Sequence, residues 1–208
     1  PFFKVASMDL NNLFFLKYVA EKGKTIILST GMGSLAEIET ALKTIYETGN
    51  KEVILLHCIA IYPPDDKIIN LRNIEMLNKT FNIPVGFSDH TIGTSIPLAA
   101  ITFGAKVIEK HFTLDKTMPG WDHAVSANPE EMKVIVEEGK RIVTALGEYR
   151  RVVSVKEMKQ RESFRRSVVS KRKIKKGEFL QKKDLDFKRP GTGIRSDEIK
   201  YILGRKVN

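Results

Sequence analysis

The chain has 208 residues, 42% of them hydrophobic and 29% charged, an ordinary balance for a globular protein of one or two domains. No apolar run reaches the roughly 18–20 residues that a membrane span requires, and the single cysteine, Cys58, excludes an internal disulfide framework. With no secretory leader in sight, the expected setting is reducing and cytoplasmic, without a membrane partner.

The formal net charge of +10 is unevenly placed. Residues 1–147 carry 15 basic and 17 acidic side chains, whereas residues 148–208 carry 20 and 8. That asymmetry predicts a domain boundary near Gly147, an anionic partner, or both. Pro1 leads straight into an apolar run, so we expect a longer parent protein.

Short β-branched runs recur at Phe3–Ser7, Thr25–Ser29, Val53–His57, Pro84–Ser88 and Val107–Phe112. They are largely apolar rather than alternating, as in a parallel sheet covered on both faces. Between them lie helical signals. Ser34 and Glu37 have capping-box spacing, with Leu35, Ile38, Leu42 and Ile45 on one face and Gly49 as the stop. Asn128-Pro129-Glu130-Glu131 opens a last helix with a cap residue and proline in the first turn. Met132, Ile135, Val136, Ile142, Val143 and Leu146 are its expected buried stripe. Strands alternating with helices predict an α/β fold. Residues 148–164 are highly charged and read as a linker. From residue 165 onward, short strands and Gly/Pro turns predict a small β-rich module.

Functional groups of parallel α/β sheets gather at the carboxyl ends of strands. Polar residues recur there: Ser7 and Asp9, Ser29 and Thr30, His57, Ser88-Asp89-His90, and Glu109 with His111. Two strand-end imidazoles, His90 and His111, suit a shared transition-metal ion. Nearby acids could ligate, orient ligands or move protons, and Lys4 with the hydroxyls could hold a phosphate. His57 beside Cys58 reads as a packed core histidine and His123 as a loop residue. Gly31-Met32-Gly33 reads as a tight strand-to-helix turn rather than a phosphate loop. The basic run Lys171–Lys176 reads as a solvated face.

Six segments occur together in one order: Phe3-Lys4-Val5-Ala6-Ser7, Ile27-Leu28-Ser29-Thr30-Gly31-Met32, Leu56-His57-Cys58, Gly86-Phe87-Ser88-Asp89-His90-Thr91, Val107-Ile108-Glu109-Lys110-His111-Phe112-Thr113 and Gly120-Trp121-Asp122-His123. In these the chain resembles the N-acetylneuraminate (sialic acid) synthase family. Lys188-Arg189-Pro190-Gly191-Thr192-Gly193 resembles the family's C-terminal antifreeze-like SAF domain.

The resemblance implies a (β/α)8 TIM barrel of which residues 1–147 supply the last five βα units. A linker at 148–164 and a truncated SAF domain at 165–208 would follow. It implies a metal-dependent transferase that condenses phosphoenolpyruvate with an N-acetylated hexosamine, N-acetylmannosamine or a relative, to a nonulosonic (sialic) acid. Phosphate is released by C–O cleavage. His90 and His111 would bind the divalent ion (Mn2+, Mg2+ or Co2+). Lys4, Ser7, Ser29 and Ser88 would hold phosphoenolpyruvate, and Tyr62 and Asp122 the sugar. Asp9 and Glu109 would serve as acid–base or water-positioning groups. Arg189 would reach the sugar of the partner subunit in a domain-swapped homodimer.

Asp9 stands where some members carry Glu, and Trp121 where Pro or Ser is common. Family relatives that make legionaminic or pseudaminic acid, or that serve spore-coat polysaccharide synthesis, are the alternative. Five units of eight are expected to be inactive alone. The basic tail also suggests a polyanion- or RNA-binding module, but it lacks interleaved aromatics, so no nucleic-acid partner is expected.

Overall fold

The computed structural model describes residues 1–208 and divides into two compact units, Pro1–Gly147 and Glu148–Asn208. No helix is long and apolar enough to cross a membrane.

The first unit is a parallel sheet of β1 (Phe2–Val5), β2 (Thr25–Ser29), β3 (Val53–Cys58), β4 (Val85–Asp89) and β5 (Ile108–Lys110), ordered as in the chain. Helices α1 (Leu13–Ala20), α2 (Leu35–Glu47), α3 (Asp66–Ile69), α4 (Arg72–Phe81), α5 (Ser95–Thr102) and α6 (Pro129–Leu146) complete it. The sheet curls into a half-barrel. Laid flat, four inter-strand steps would hold β1 and β5 about 19 Å apart. Instead, Lys4 Nζ on β1 lies 3.6 Å from Glu109 Oε2 on β5.

Strand side chains alternate between two faces. Val5, Ile26, Leu28, Val53, Leu55, Val85 and Phe87 form one core with the helices. The opposite face carries Lys4, Ile27, Leu56 and Glu109, which line an open cavity of about 750 Å³. Gly86 sits on this crowded inner face, where a Cβ would collide with the Val107 carbonyl and the Leu56 side chain.

Both expected caps form. Ser34 and Glu37 satisfy each other's backbone N–H groups at the start of α2, and Asn128 and Glu131 do the same for α6. Ile38, Leu42 and Ile45 are buried as expected, but Leu35, at the first position of α2, is exposed. The stripe of α6 departs further. Only Ile135 and Gly139 are buried there, while Val136, Val143 and Leu146 are exposed. Val136 and Val143 face the open cavity, so no packed element covers them. Gly139 lets α6 approach α5; a Cβ there would stand 3.0 Å from Ile101 Cδ1.

In the second unit, residues read from sequence as a linker include α7 (Val155–Phe164), capped by Ser154. It precedes antiparallel β6 (Ser167–Ser170) and β7 (Leu185–Lys188). The basic run is exposed, yet one member has a structural role. Arg172 Nε donates to buried Asp184 at 2.8 Å, and its Nη1 meets Glu178 Oε2 at 2.7 Å.

The hydrogen bond from Arg172 holds the Asp184 carboxyl below the ordinary aspartate range. A carboxylate depressed on folding stabilises the fold above its unfolded value of about 3.9. That contribution is lost as pH falls through the lower folded value. Opening free energies from hydrogen exchange at β6 and β7 should therefore fall below about pH 4. Arg172→Gln should lower them at pH 6 and flatten the acid dependence. An unchanged dependence in Arg172→Gln would remove this pair from the account.

Candidate active site

Lys4, Ser88 and Glu109 come from β1, β4 and β5 and meet on the inner face. Ser88 and Glu109 are register partners. The buried Ser88 Oγ donates to Glu109 Oε1 at 2.7 Å. Lys4 faces the other carboxylate oxygen at 3.6 Å and donates to the Val5 carbonyl at 3.0 Å. A hydroxyl, an ammonium and a carboxylate thus converge from strands far apart in sequence.

Ser7 and Ser29 extend this polar edge. Ser7 Oγ accepts from the Gly31 amide at 3.0 Å and lies 3.5 Å from Cys58 Sγ. A Cβ at Gly31 would stand 2.7 Å from Ser7 Oγ, so the turn needs glycine for this approach. Met32 follows at φ +64°, consistent with a tight turn. Ser29 Oγ is buried without a partner, an uncompensated cost that a bound polar group would offset. Thr30 is occupied, since its Oγ1 and its amide both donate to the Leu56 carbonyl.

The histidines stand beside this edge. His90 follows β4, His111 follows β5, and their ring centroids are 5.4 Å apart. Ser88, Asp89, His90, Glu109, Lys110 and His111 together enclose a pocket of about 170 Å³. His90 Nδ1 is 2.8 Å from the Ile59 carbonyl. A carbonyl only accepts, so Nδ1 donates there, which leaves Nε2 as the ring nitrogen available to a metal. His111 Nδ1 lies 3.7 Å from Asp122 Oδ2, a carboxylate placed to orient that ring. Two imidazoles with open positions fit a divalent ion of intermediate softness.

Tyr62 covers the pair, with its ring centroid 4.0 Å from that of His90 and 5.7 Å from that of His111. Desolvation first, then Cys58, Asp122 and Glu109, push its phenol above the usual range. Asp9 lies in the short 3-10 turn Ser7–Asp9 after β1 and forms no ion pair. Arg189 belongs to the second unit, its guanidinium carbon 5.1 Å from the Phe164 ring centroid.

The remaining histidines are structural. His57 is buried, and its Nε2 bonds the Ile69 carbonyl at 2.6 Å; burial lowers its affinity for a proton. His123 Nδ1 bonds Thr113 Oγ1 at 2.7 Å.

The NeuB family matches residues 1–151, and the SAF domain matches residues 165–208. The chain belongs to the NeuB family. It is 43% identical over 205 residues to the N,N'-diacetyllegionaminic acid synthase of Campylobacter jejuni, covering 98% of this chain and 61% of that one. It is 37% identical over 209 residues to the human N-acetylneuraminate-9-phosphate synthase, covering 100% of this chain and 58% of that one. The crystal structure of N-acetylneuraminic acid synthetase from Leptospira borgpetersenii in complex with citrate superposes with a TM-score of 0.72 at 38% identity. That match covers 76% of this chain and 55% of that one. The chain thus spans roughly three-fifths of these curated NeuB relatives.

Two residues at these strand ends of the NeuB chain escaped the sequence reading. Cys58 contacts Ser7, and Lys110 is fully engaged beside the histidines. The signal in the sequence was that Asp89 and Lys110 each precede a histidine, and the structure shows that the two are register partners.

Proposed function

We propose that the chain contributes the metal- and phosphoenolpyruvate-binding half of a synthase. The enzyme joins phosphoenolpyruvate to an N-acetylated hexosamine, giving a nonulosonic acid and inorganic phosphate. The observation that carries this reading is the convergence of Lys4, Ser88, Glu109, His90 and His111 at one edge of the half-barrel.

Phosphoenolpyruvate is a small polyanion and needs preorganised cations and donors. Lys4 supplies the ammonium. Ser88 and the partnerless Ser29 supply hydroxyls, and Ser7 extends the row. Tyr62 and Asp122, beside the imidazoles, contact the sugar. His90 and His111 would hold a divalent ion, which when bound polarises the sugar aldehyde.

Carbon 3 of the enol then bonds the aldehyde carbon, and carbon 2 becomes electrophilic. Water adds at carbon 2, and the tetrahedral adduct expels phosphate with its bridging oxygen. Glu109, held between Ser88 and Lys4, takes the proton from that water or returns one to the new hydroxyl. Asp9, free of ionic partners, is the second proton-handling group. Arg189 serves the sugar of a partner subunit in a domain-swapped dimer. The 43% identity to an N,N'-diacetyllegionaminic acid synthase supports a diacetamido sugar as the second candidate substrate.

The complete protein should release phosphate only when phosphoenolpyruvate, a divalent ion and an N-acetylated hexosamine are all present. The 208-residue chain alone should not, because β1 and β5 each leave an unpaired sheet edge. Coupled phosphate detection with mass analysis of the product checks both. Phosphate release without sugar would point to a hydrolase instead.

A further inference from the structure

Beneath the two imidazoles lies an ion pair that the proposed chemistry does not use. Lys110 Nζ is 2.7 Å from Asp89 Oδ2, with side chains 1% and 0% exposed. The same ammonium donates to the Thr91 carbonyl at 2.6 Å, and Asp89 Oδ1 accepts from the Thr91 amide at 2.8 Å. Both carboxylate oxygens are therefore occupied. Asp89 and Lys110 are direct register partners at the ends of β4 and β5, and the residue after each strand is a histidine.

A buried ion pair contributes little net stability, because desolvating two charges offsets their attraction. Its best-attested use is to fix register, and this one sits where register sets the geometry of the imidazole pair. We propose that Asp89 and Lys110 are positioning residues. They lock the ends of β4 and β5 so that the His90 and His111 rings stand 5.4 Å apart and share one divalent cation. The pair also keeps Asp89 out of the coordination sphere, leaving a site whose protein ligands from these two strands are nitrogens. This inference rests on the metal reading above.

Co2+ titration of the full chain tests it without turnover, using affinity and the visible ligand-field band as readouts. The wild type should bind Co2+ with a nitrogen-ligand band that His90→Ala abolishes. Asp89→Asn keeps the side-chain shape and the Thr91 amide bond, and should weaken Co2+ binding about tenfold. The double variant Asp89→Asn with Lys110→Met removes both charges, so no lone buried charge remains. It should fold, as judged by circular dichroism, yet bind Co2+ about 10–100-fold more weakly with a shifted band. Either folded variant retaining the wild-type affinity and band overturns the positioning role and leaves the metal reading intact. A wild type that gives no band, with weak binding unaffected by His90→Ala, overturns both.

Discussion

His111→Ala should lower phosphate release by the complete protein at least about 100-fold, since loss of a metal ligand exceeds the 10–100-fold cost of losing a ligand's supporting partner. His90→Ala should do the same. The two differ in their effect on stability. The His111 side chain is one-third exposed and its one ion-pair contact is with Asp122 at 3.7 Å, so its removal should leave thermal unfolding nearly unchanged. His90 is buried, stacked on Tyr62 and bonded to the Ile59 carbonyl. Its removal leaves that carbonyl unpaired, at about 1–3 kcal/mol. His111→Ala is therefore the cleaner variant, combining a large rate loss with native stability. Chelation with EDTA should abolish wild-type turnover, and Mn2+, Mg2+ or Co2+ should each restore it, because a nitrogen–oxygen site discriminates weakly. Near-normal rates in both variants would reduce the histidines to packing residues.

The second large effect belongs to Glu109. Glu109→Gln keeps the side-chain shape and can still accept from Ser88, so the local fold should persist. It removes the charge that faces Lys4 and the capacity to exchange a proton. We expect kcat to fall by about 10²–10⁴, the range for a lost general acid–base group, with a smaller change in the KM for phosphoenolpyruvate. Steady-state phosphate release checks this split. A kcat loss below about tenfold would limit Glu109 to binding.

Much of the architecture was legible because it is encoded locally. The Ser34–Glu37 and Asn128–Glu131 capping boxes are read within four residues, and both form. Each β-branched run overlaps a strand of the parallel sheet, with ends that differ by at most two residues. The pairing of His90 with His111 followed from one connection returning the chain beside itself. What escaped depends on the sheet's curl and register. No local signal says that Lys4 reaches Glu109, 105 positions away along the chain and across the half-barrel. The Asp89–Lys110 contact required knowing which residues are register partners. The α6 stripe misled because periodicity shows which face is apolar, not whether anything covers it. Helix α7 lacks an apolar stripe and buries no residue, so only its Ser154 cap signalled a helix.

The central claim is that these strand ends serve a condensation in which the C–O bond of phosphoenolpyruvate breaks. The direct measurement is 31P NMR of the phosphate released by the complete protein in water enriched in 18O, with mass analysis of the sugar product. The expected result is phosphate free of the heavy isotope and one heavy oxygen at carbon 2 of the nonulosonic acid. Heavy oxygen in the phosphate would mean that water attacks phosphorus, which would contradict the account.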